Sequence, residues 1–225
     1  MMNRERVLVF LKPDAVIRRG VGARVVQEIL NNEFEVNYFG EINPPKEFIA
    51  DRHYIQHRGK FFYNWLIKYV TSSPLILFIL EQERAIYKIR TLIGSTLPEN
   101  ADSNTIRGKF GILGGINVIH ASDNIDNARR EVEIWKEIIK IKVQNCDYTQ
   151  KANNYVRRYI NFPIVDTEKY KKISLLLIDG KISIQKAKNS IVELLRIESD
   201  FDANTISRFA DVIIENALLR KKEAV

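Results

Sequence analysis

Arg6-Val7-Leu8-Val9-Phe10-Leu11 is β-branched, aromatic and apolar on both faces, and it stops at Lys12-Pro13-Asp14. Such a run reads as a buried strand. A helix is expected from about Gly22, with Val25, Val26, Ile29 and Leu30 at helical spacing, ending near Asn31-Asn32. Val36 to Ile42 reads as a second strand closed by Pro44-Pro45, and Glu47 to Tyr69 as two short helices broken by Arg58-Gly59-Lys60. Pro74 to Leu80 is the next strand, and Ala85 to Ile93 a helix stopped at Gly94. A polar loop without periodicity follows from Ser95 to Thr105, and loops of that length in a compact domain are usually functional. Phe110 to Ile112 and Val118-Ile119 supply a last strand region. Ser122 or Asp123 can cap a helix whose buried stripe is Ala128, Val132, Trp135 and Ile139. Strands alternating with helices in this way predict an α+β sandwich, a sheet covered by helices.

After Val143 the pattern changes. Asn145 to Gln150 is polar, and Asp166 to Ile178, Ser183 to Ile197 and Asn204 to Leu219 have helical spacing. Asp179-Gly180 separates the first two, either as a helix-turn-helix packing unit with Gly180 as a C-terminal stop or as the turn of a hairpin. The division expected is 1–148 for a core domain and 149–225 for a helical extension.

Among 225 residues, 45% apolar and 28% charged side chains exclude a disordered, collagenous or membrane-spanning chain. The longest apolar run, Leu75 to Leu80, is far below the roughly 20 residues of a membrane span. Lys12 and Asp14 interrupt Val7 to Leu11 before a signal-peptide core can form. A lone cysteine, Cys146, fits a reducing, cytoplasmic setting and excludes a disulfide framework. Three histidines leave little material for a zinc site. Thirty-five basic against 28 acidic side chains leave +7, but the basic doublets are scattered with acidic neighbours, which argues for a solvated surface and against a nucleic-acid partner. The surplus suits an anionic small substrate.

The chain has neither the P-loop pattern nor a GxGxxG fingerprint, so a phosphate cradle must be assembled from dispersed side chains. In Asn117-Val118-Ile119-His120-Ala121-Ser122-Asp123, His120 sits where an apolar strand hands over to a capped helix, and small Ala121 would leave the imidazole accessible. Glu131 lies two turns into that helix. It is either an exposed member of the charge run Arg129, Arg130, Glu131 and Glu133 or the group that reaches back to hold one ring nitrogen, leaving the other as a nucleophile of defined tautomer.

These residues, with Lys12-Pro13-Asp14, His53-Tyr54, Phe61-Phe62, Arg90 before Gly94, Thr96 and Thr105-Ile106-Arg107-Gly108, fall in one order at nearly one spacing that resembles the nucleoside diphosphate kinase family over about residues 4 to 140. The resemblance implies a ferredoxin-like fold with an antiparallel sheet. It also implies ping-pong transfer in which His120 takes the γ-phosphoryl of a nucleoside triphosphate such as ATP and passes it to a nucleoside diphosphate. By the same resemblance Arg90, Arg107 and Thr96 hold the phosphates, and Lys12 and Asn117 reach the sugar hydroxyls, Lys12 also lying near the transferring group. Tyr54 steadies the region of His120, and Glu131 orients the ring. Phe61 stacks on the nucleobase with Leu66 closing the other side. Stacking engages any base, so broad base tolerance is implied. Mg²⁺ would arrive through the nucleotide phosphates, with no protein metal ligand named. A homo-oligomer, hexamer or tetramer, is implied as well.

Several positions depart from the common family pattern. Ala121 replaces a glycine, Ile116 stands where arginine is frequent, and the segment Tyr63-Asn64-Trp65 is one residue longer, compensating a shortening before Phe61. Leu97-Pro98-Glu99-Asn100 is also atypical in a loop that takes part in the family's subunit contacts. The helical extension at 149–225 packs on the catalytic domain, extends an interface or recruits a protein partner. The competing reading of the whole chain is a catalytically silent nucleotide-binding or scaffold protein acting through that extension.

Overall fold

The computed structural model describes residues 4–139 and 146–223. In chain order the elements are β1 (Arg4–Leu11), α1 (Pro13–Ile17), α2 (Arg19–Leu30), β2 (Glu35–Ile42) and α3 (Lys46–Phe48), followed by a π turn (Ile49–His53) and a 3-10 turn (Ile55–His57). Next come α4 (Tyr63–Val70), β3 (Leu75–Glu83), α5 (Ala85–Ile93), a 3-10 turn (Pro98–Asn100), α6 (Ile106–Phe110), β4 (Ile119–Ala121) and α7 (Ile125–Lys136). Four helices complete the chain: α8 (Tyr148–Tyr159), α9 (Thr167–Ile178), α10 (Ile184–Glu198) and α11 (Ala203–Glu223).

The sheet order is β2-β3-β1-β4 with every pair antiparallel, which is the ferredoxin-like arrangement. β1 is central because both its faces are apolar. Leu8 and Phe10 pack with Tyr69, Trp135 and Phe209 on one side, while Val7, Val9 and Leu11 pack with Val25, Val26, Ile29 and Ile89 on the other. All five are fully buried, each stabilising by about 1.5–3 kcal/mol relative to exposure.

Local chemistry moved several boundaries. Pro13 at the first helical position starts α1 at once, and α2 begins at Arg19, three residues before the expected Gly22, because Arg18 and Arg19 find partners inside the protein. Phe110 to Ile112 is not a strand. Phe110 ends α6, whose N-terminus is capped by the Thr105 hydroxyl accepting from the Gly108 N–H, and Leu113 and Ile116 make only an isolated bridge. The cap of α7 is Asn124, one residue beyond the expected pair, and its stripe of Ala128, Val132, Trp135 and Ile139 is buried.

The pattern change after Val143 and Asn145 lies outside the described residues. α8 was missed by the polar reading of Gln150 and its neighbours: Asp147 caps it, and Ala152 and Val156 pack against the apolar face of α2 and β2. The Asp179-Gly180 turn is a helix-turn-helix, with Gly180 at φ +70° and the Lys181 N–H returning to the Leu176 carbonyl. Among the described residues no helix is long and apolar enough to cross a membrane.

The last four helices share the core of the sheet domain. The indole N–H of Trp65 on α4 donates to the Val212 carbonyl of α11 at 3.0 Å. Arg18, fully buried, donates to Glu198 Oε2 at 3.0 Å, to the Phe110 carbonyl at 2.9 Å and to the Thr167 hydroxyl at 3.0 Å, and its guanidinium lies over the Tyr170 ring. Glu198 also accepts from the Tyr170 hydroxyl at 2.6 Å and the Val165 N–H at 3.0 Å, so the buried pair is fully satisfied.

Candidate active site

His120 lies on β4 opposite Phe10 of β1 and stacks on that ring, centroids 4.7 Å apart and planes 20° apart. The turn leading to it is strained. Val118 has φ +73°, rare for a β-branched residue, and the Ile119 N–H returns to the Asn117 carbonyl at 2.8 Å in a γ-turn. The surroundings hold it there: the Val118 N–H donates to Asp14 Oδ2 at 2.9 Å, its carbonyl accepts from the Lys12 N–H at 2.8 Å, and the Tyr69 hydroxyl donates to Asp14 Oδ1. Burial pushes the Asp14 carboxyl up, against the pull of Tyr69, Arg18 and Lys12. The Lys12-Pro13-Asp14 stretch after β1 thus sets the backbone on which the histidine stands.

Glu131 is 2% exposed, which excludes the exposed charge-run alternative. Its Oε2 sits 2.9 Å from His120 Nε2 and accepts from the Ser122 hydroxyl at 2.7 Å. Burial pushes its pKa up, but the opposing pull of the His120 ring, His53 and the Ser122 hydroxyl wins and holds it below the usual carboxylate range. An ionised carboxylate only accepts, so Nε2 carries the proton, and in the neutral ring the lone pair falls on Nδ1. His53, edge-on to His120 at 4.7 Å, is fully buried and accepts from the Trp135 indole N–H through Nδ1 at 3.1 Å. Burial pushes its pKa well down, so it is a neutral ring whose Nε2 bears hydrogen. His53, His120 and Glu131 bring ligand atoms within 4.8 Å of one another, but that tautomer of His53 offers no lone pair to a metal.

His120 opens onto a cavity of about 510 Å³, and the structure brings every residue singled out from the sequence to its lining: Lys12, Tyr54, Phe61, Leu66, Arg90, Thr96, Arg107, Asn117, His120 and Glu131. Lys12 is buried and donates to Asn117 Oδ1 at 2.6 Å, while the Asn117 amide donates to the Thr96 carbonyl at 2.7 Å. Desolvation, reinforced by the charge of Arg107 and opposed by Asp14, lowers the Lys12 pKa to about 7. Arg107 donates to the carbonyls of Gly94, Asn117 and Ile119 at 3.0, 3.3 and 2.8 Å. Burial, with Arg90 nearby, lowers its pKa to about 10. Gly94 has φ +81°, and a Cβ there would lie 2.3 Å from the Thr105 hydroxyl, so this turn needs glycine.

Among the described residues neither Lys12, Arg90 nor Arg107 has a carboxylate in ion-pair range. Tyr54 is buried and edge-on to His120 at 6.0 Å, and burial raises its pKa. Phe61 is 61% exposed at the rim and Leu66 is buried.

The sequence reading did not single out Ser122, His53, Trp135 or Tyr69 for the site. Gln56, His57, Trp65, Asp123 and Asn127 also line the cavity, as do Asn216, Leu219 and Arg220 of α11. Ser122 lies within the Asn117–Asp123 stretch, where the sequence reads it as a helix cap, and it instead bonds Glu131. Nothing in the periodicity of α11 marks three of its residues as cavity wall.

A ferredoxin-like sandwich carrying a carboxylate-oriented histidine beside buried basic side chains has the features of an α+β enzyme. A family model described as nucleoside diphosphate kinase matches residues 5–140, and the chain belongs to that family of enzymes. A nucleoside diphosphate kinase of Clostridium perfringens is 47% identical over 135 residues, 60% of this chain and 92% of the relative. One from Methanococcus maripaludis is 40% identical over 131 residues, 58% of this chain and 97% of the relative. Among solved structures, the Aquifex aeolicus nucleoside diphosphate kinase superposes with TM-score 0.56 at 31% identity, covering 59% of this chain and 95% of that one. The one from Encephalitozoon cuniculi gives 0.57 at 29% identity, covering 65% and 97%.

Proposed function

We propose that the protein transfers the γ-phosphoryl of a nucleoside triphosphate, ATP foremost, to a nucleoside diphosphate through phospho-His120. The observation that carries this reading is the pairing of His120 Nε2 with Glu131 beside a cavity lined by Lys12, Arg90 and Arg107, none of which has a carboxylate in ion-pair range among the described residues. Nδ1 attacks the γ-phosphorus, the bond from that phosphorus to the β–γ bridging oxygen breaks, and the nucleoside diphosphate leaves with the electron pair. A second nucleoside diphosphate then takes the phosphoryl from Nδ1, restoring the lone pair. Glu131 and Ser122 fix the tautomer through both half-reactions, and Glu131 stabilises positive charge on the ring.

Phosphoryl transfer depends on positioning and on charge stabilisation at the equatorial oxygens. Arg90, Arg107 and Thr96 hold the phosphates, Lys12 and Asn117 meet the sugar hydroxyls, and Lys12 approaches the transferring group. Tyr54 packs beside the ring. Phe61 and Leu66 hold the base by its faces, which supports broad base tolerance. The lining fits a nucleotide-borne Mg²⁺: its carboxylates are Glu131, taken by His120, and Asp123, whose Oδ1 already accepts from Asn124 and Asn127. When bound, Mg²⁺ neutralises phosphate oxygens. Assembly into a hexamer or tetramer in the cytoplasm belongs to the same reading, and mass in solution checks the assembly.

Incubation with γ-labelled ATP should leave acid-labile, base-stable label on the protein that GDP removes. Absence of label on the wild-type chain, or transfer retained by His120→Ala, would overturn the reading.

A further inference from the structure

The family match ends at residue 140, yet the cavity wall includes Asn216, Leu219 and Arg220 from α11 near the far end of the chain. These residues meet the cavity at a turn that brings no side chain of its own. Gly114 and Gly115 line it side by side. A Cβ built on Gly114 would lie 3.2 Å from Arg220 Cδ and 3.4 Å from Asn216 Oδ1. On Gly115 it would lie 2.4 Å from the Trp65 ring and 3.4 Å from the same amide oxygen. The space that side chains at 114 and 115 would fill is therefore taken by α11 and α4.

Asn216 is 4% exposed and uses both ends of its amide on this turn. Oδ1 accepts from the Gly115 N–H at 3.2 Å, and Nδ2 donates to the Leu113 carbonyl at 3.0 Å. Glu99 joins the same corner, accepting from the Gly114 N–H at 3.0 Å and from Arg220 Nη2 at 2.5 Å. With Trp65 bonded to the Val212 carbonyl, α11 is fastened to the turn, to the loop at 97–100 and to α4. Leu219 is half-buried, packs against the core cluster that contains Trp65 and Leu66, and lines the same cavity as Phe61, Phe62, Trp65 and Leu66.

We propose that α11 is a wall of the nucleobase subsite, with Leu219 as the side chain that meets the base and Asn216 as the residue that positions the Gly114-Gly115 turn beneath it. This rests on the nucleotide-binding reading above but not on turnover. Apolar contact with the base is energy that a nucleotide gains and a baseless phosphosugar does not.

The test is equilibrium binding of GDP, CDP and ribose 5-diphosphate to the full chain by calorimetry. Leu219→Ala should weaken GDP binding about tenfold and leave ribose 5-diphosphate unchanged. Leu219→Met should restore GDP binding. Leu219→Phe, which narrows the subsite, should weaken GDP more than CDP. Equal losses for GDP and ribose 5-diphosphate, or no loss with Leu219→Ala and no change of base preference with Leu219→Phe, would overturn the inference. A wild-type chain that bound GDP but never carried phosphate on His120 would defeat the kinase mechanism alone. One that bound no nucleotide would defeat both.

Discussion

Arg18 and Arg107 are both buried, at 0% and 3% exposure, and their surroundings differ in one respect. Arg18, at the joint with the last four helices, meets Glu198 and two further acceptors, with Tyr170 stacked against it. Arg107, in the cavity, donates among the described residues to backbone carbonyls alone, with Arg90 and, more weakly, Asp14 as charged neighbours. Burying an ion costs several kcal/mol unless an opposite charge offsets it. The first arginine has a carboxylate bonded directly to it, and the second has only the more distant Asp14. That contrast separates the joint from the binding site.

The contrast breaks most visibly at the joint. Arg18→Ala leaves Glu198 buried without its cation and should cost about 3–5 kcal/mol of stability, measured by denaturant or thermal unfolding, with the phosphoryl-transfer rate of the folded fraction nearly intact. Arg90→Ala is the cleaner probe of the cavity, because among the described residues its guanidinium makes no hydrogen bond to its own chain. It should lower kcat/KM by about 10²–10³-fold with little change in Tm. Should Arg90→Ala unfold the protein, or Arg18→Ala abolish transfer while folding normally, the division of labour would be wrong.

Lys12 sharpens the same comparison through pH. Its pKa near 7 in the free protein lies below the usual lysine value, so above pH 7 the site carries mostly an amine. A bound phosphate favours the ammonium, and nucleotide binding at pH 8 should take up close to one proton, falling toward zero at pH 6. Calorimetry in buffers of different ionisation enthalpy reads this. The stability sign is fixed by the same shift: from about pH 7 to 10.5 the unfolded chain binds the proton that the folded one has lost, so this group makes the free protein more stable as pH rises through that window. Lys12→Met should remove both effects. The smallest expected change is at Lys68 and Glu215, a pair at the joint with both side chains substantially exposed. Lys68→Ala should cost under about 1 kcal/mol by unfolding, showing that the joint depends on its buried pair.

The sheet and most of its helices were legible in the sequence because strand β1 and the stripe of α7 carry their burial in their spacing. The cavity lining was legible through the order of a dozen polar positions. What escaped reading was settled by contacts between distant segments. Helix α8 begins in a polar stretch and is amphipathic only toward α2. The Val118 turn is held by Asp14, 104 residues away by hydrogen bond, against its own backbone preference. The contribution of α11 depends on two glycines leaving room for it, which no periodicity records.

The account turns on which nitrogen of His120 is free. After a short reaction with ATP, ³¹P NMR and peptide mapping of the phosphoprotein should place the phosphoryl on Nδ1 of His120, since Glu131 holds Nε2. A phosphoryl on Nε2, or on any other residue, would contradict it.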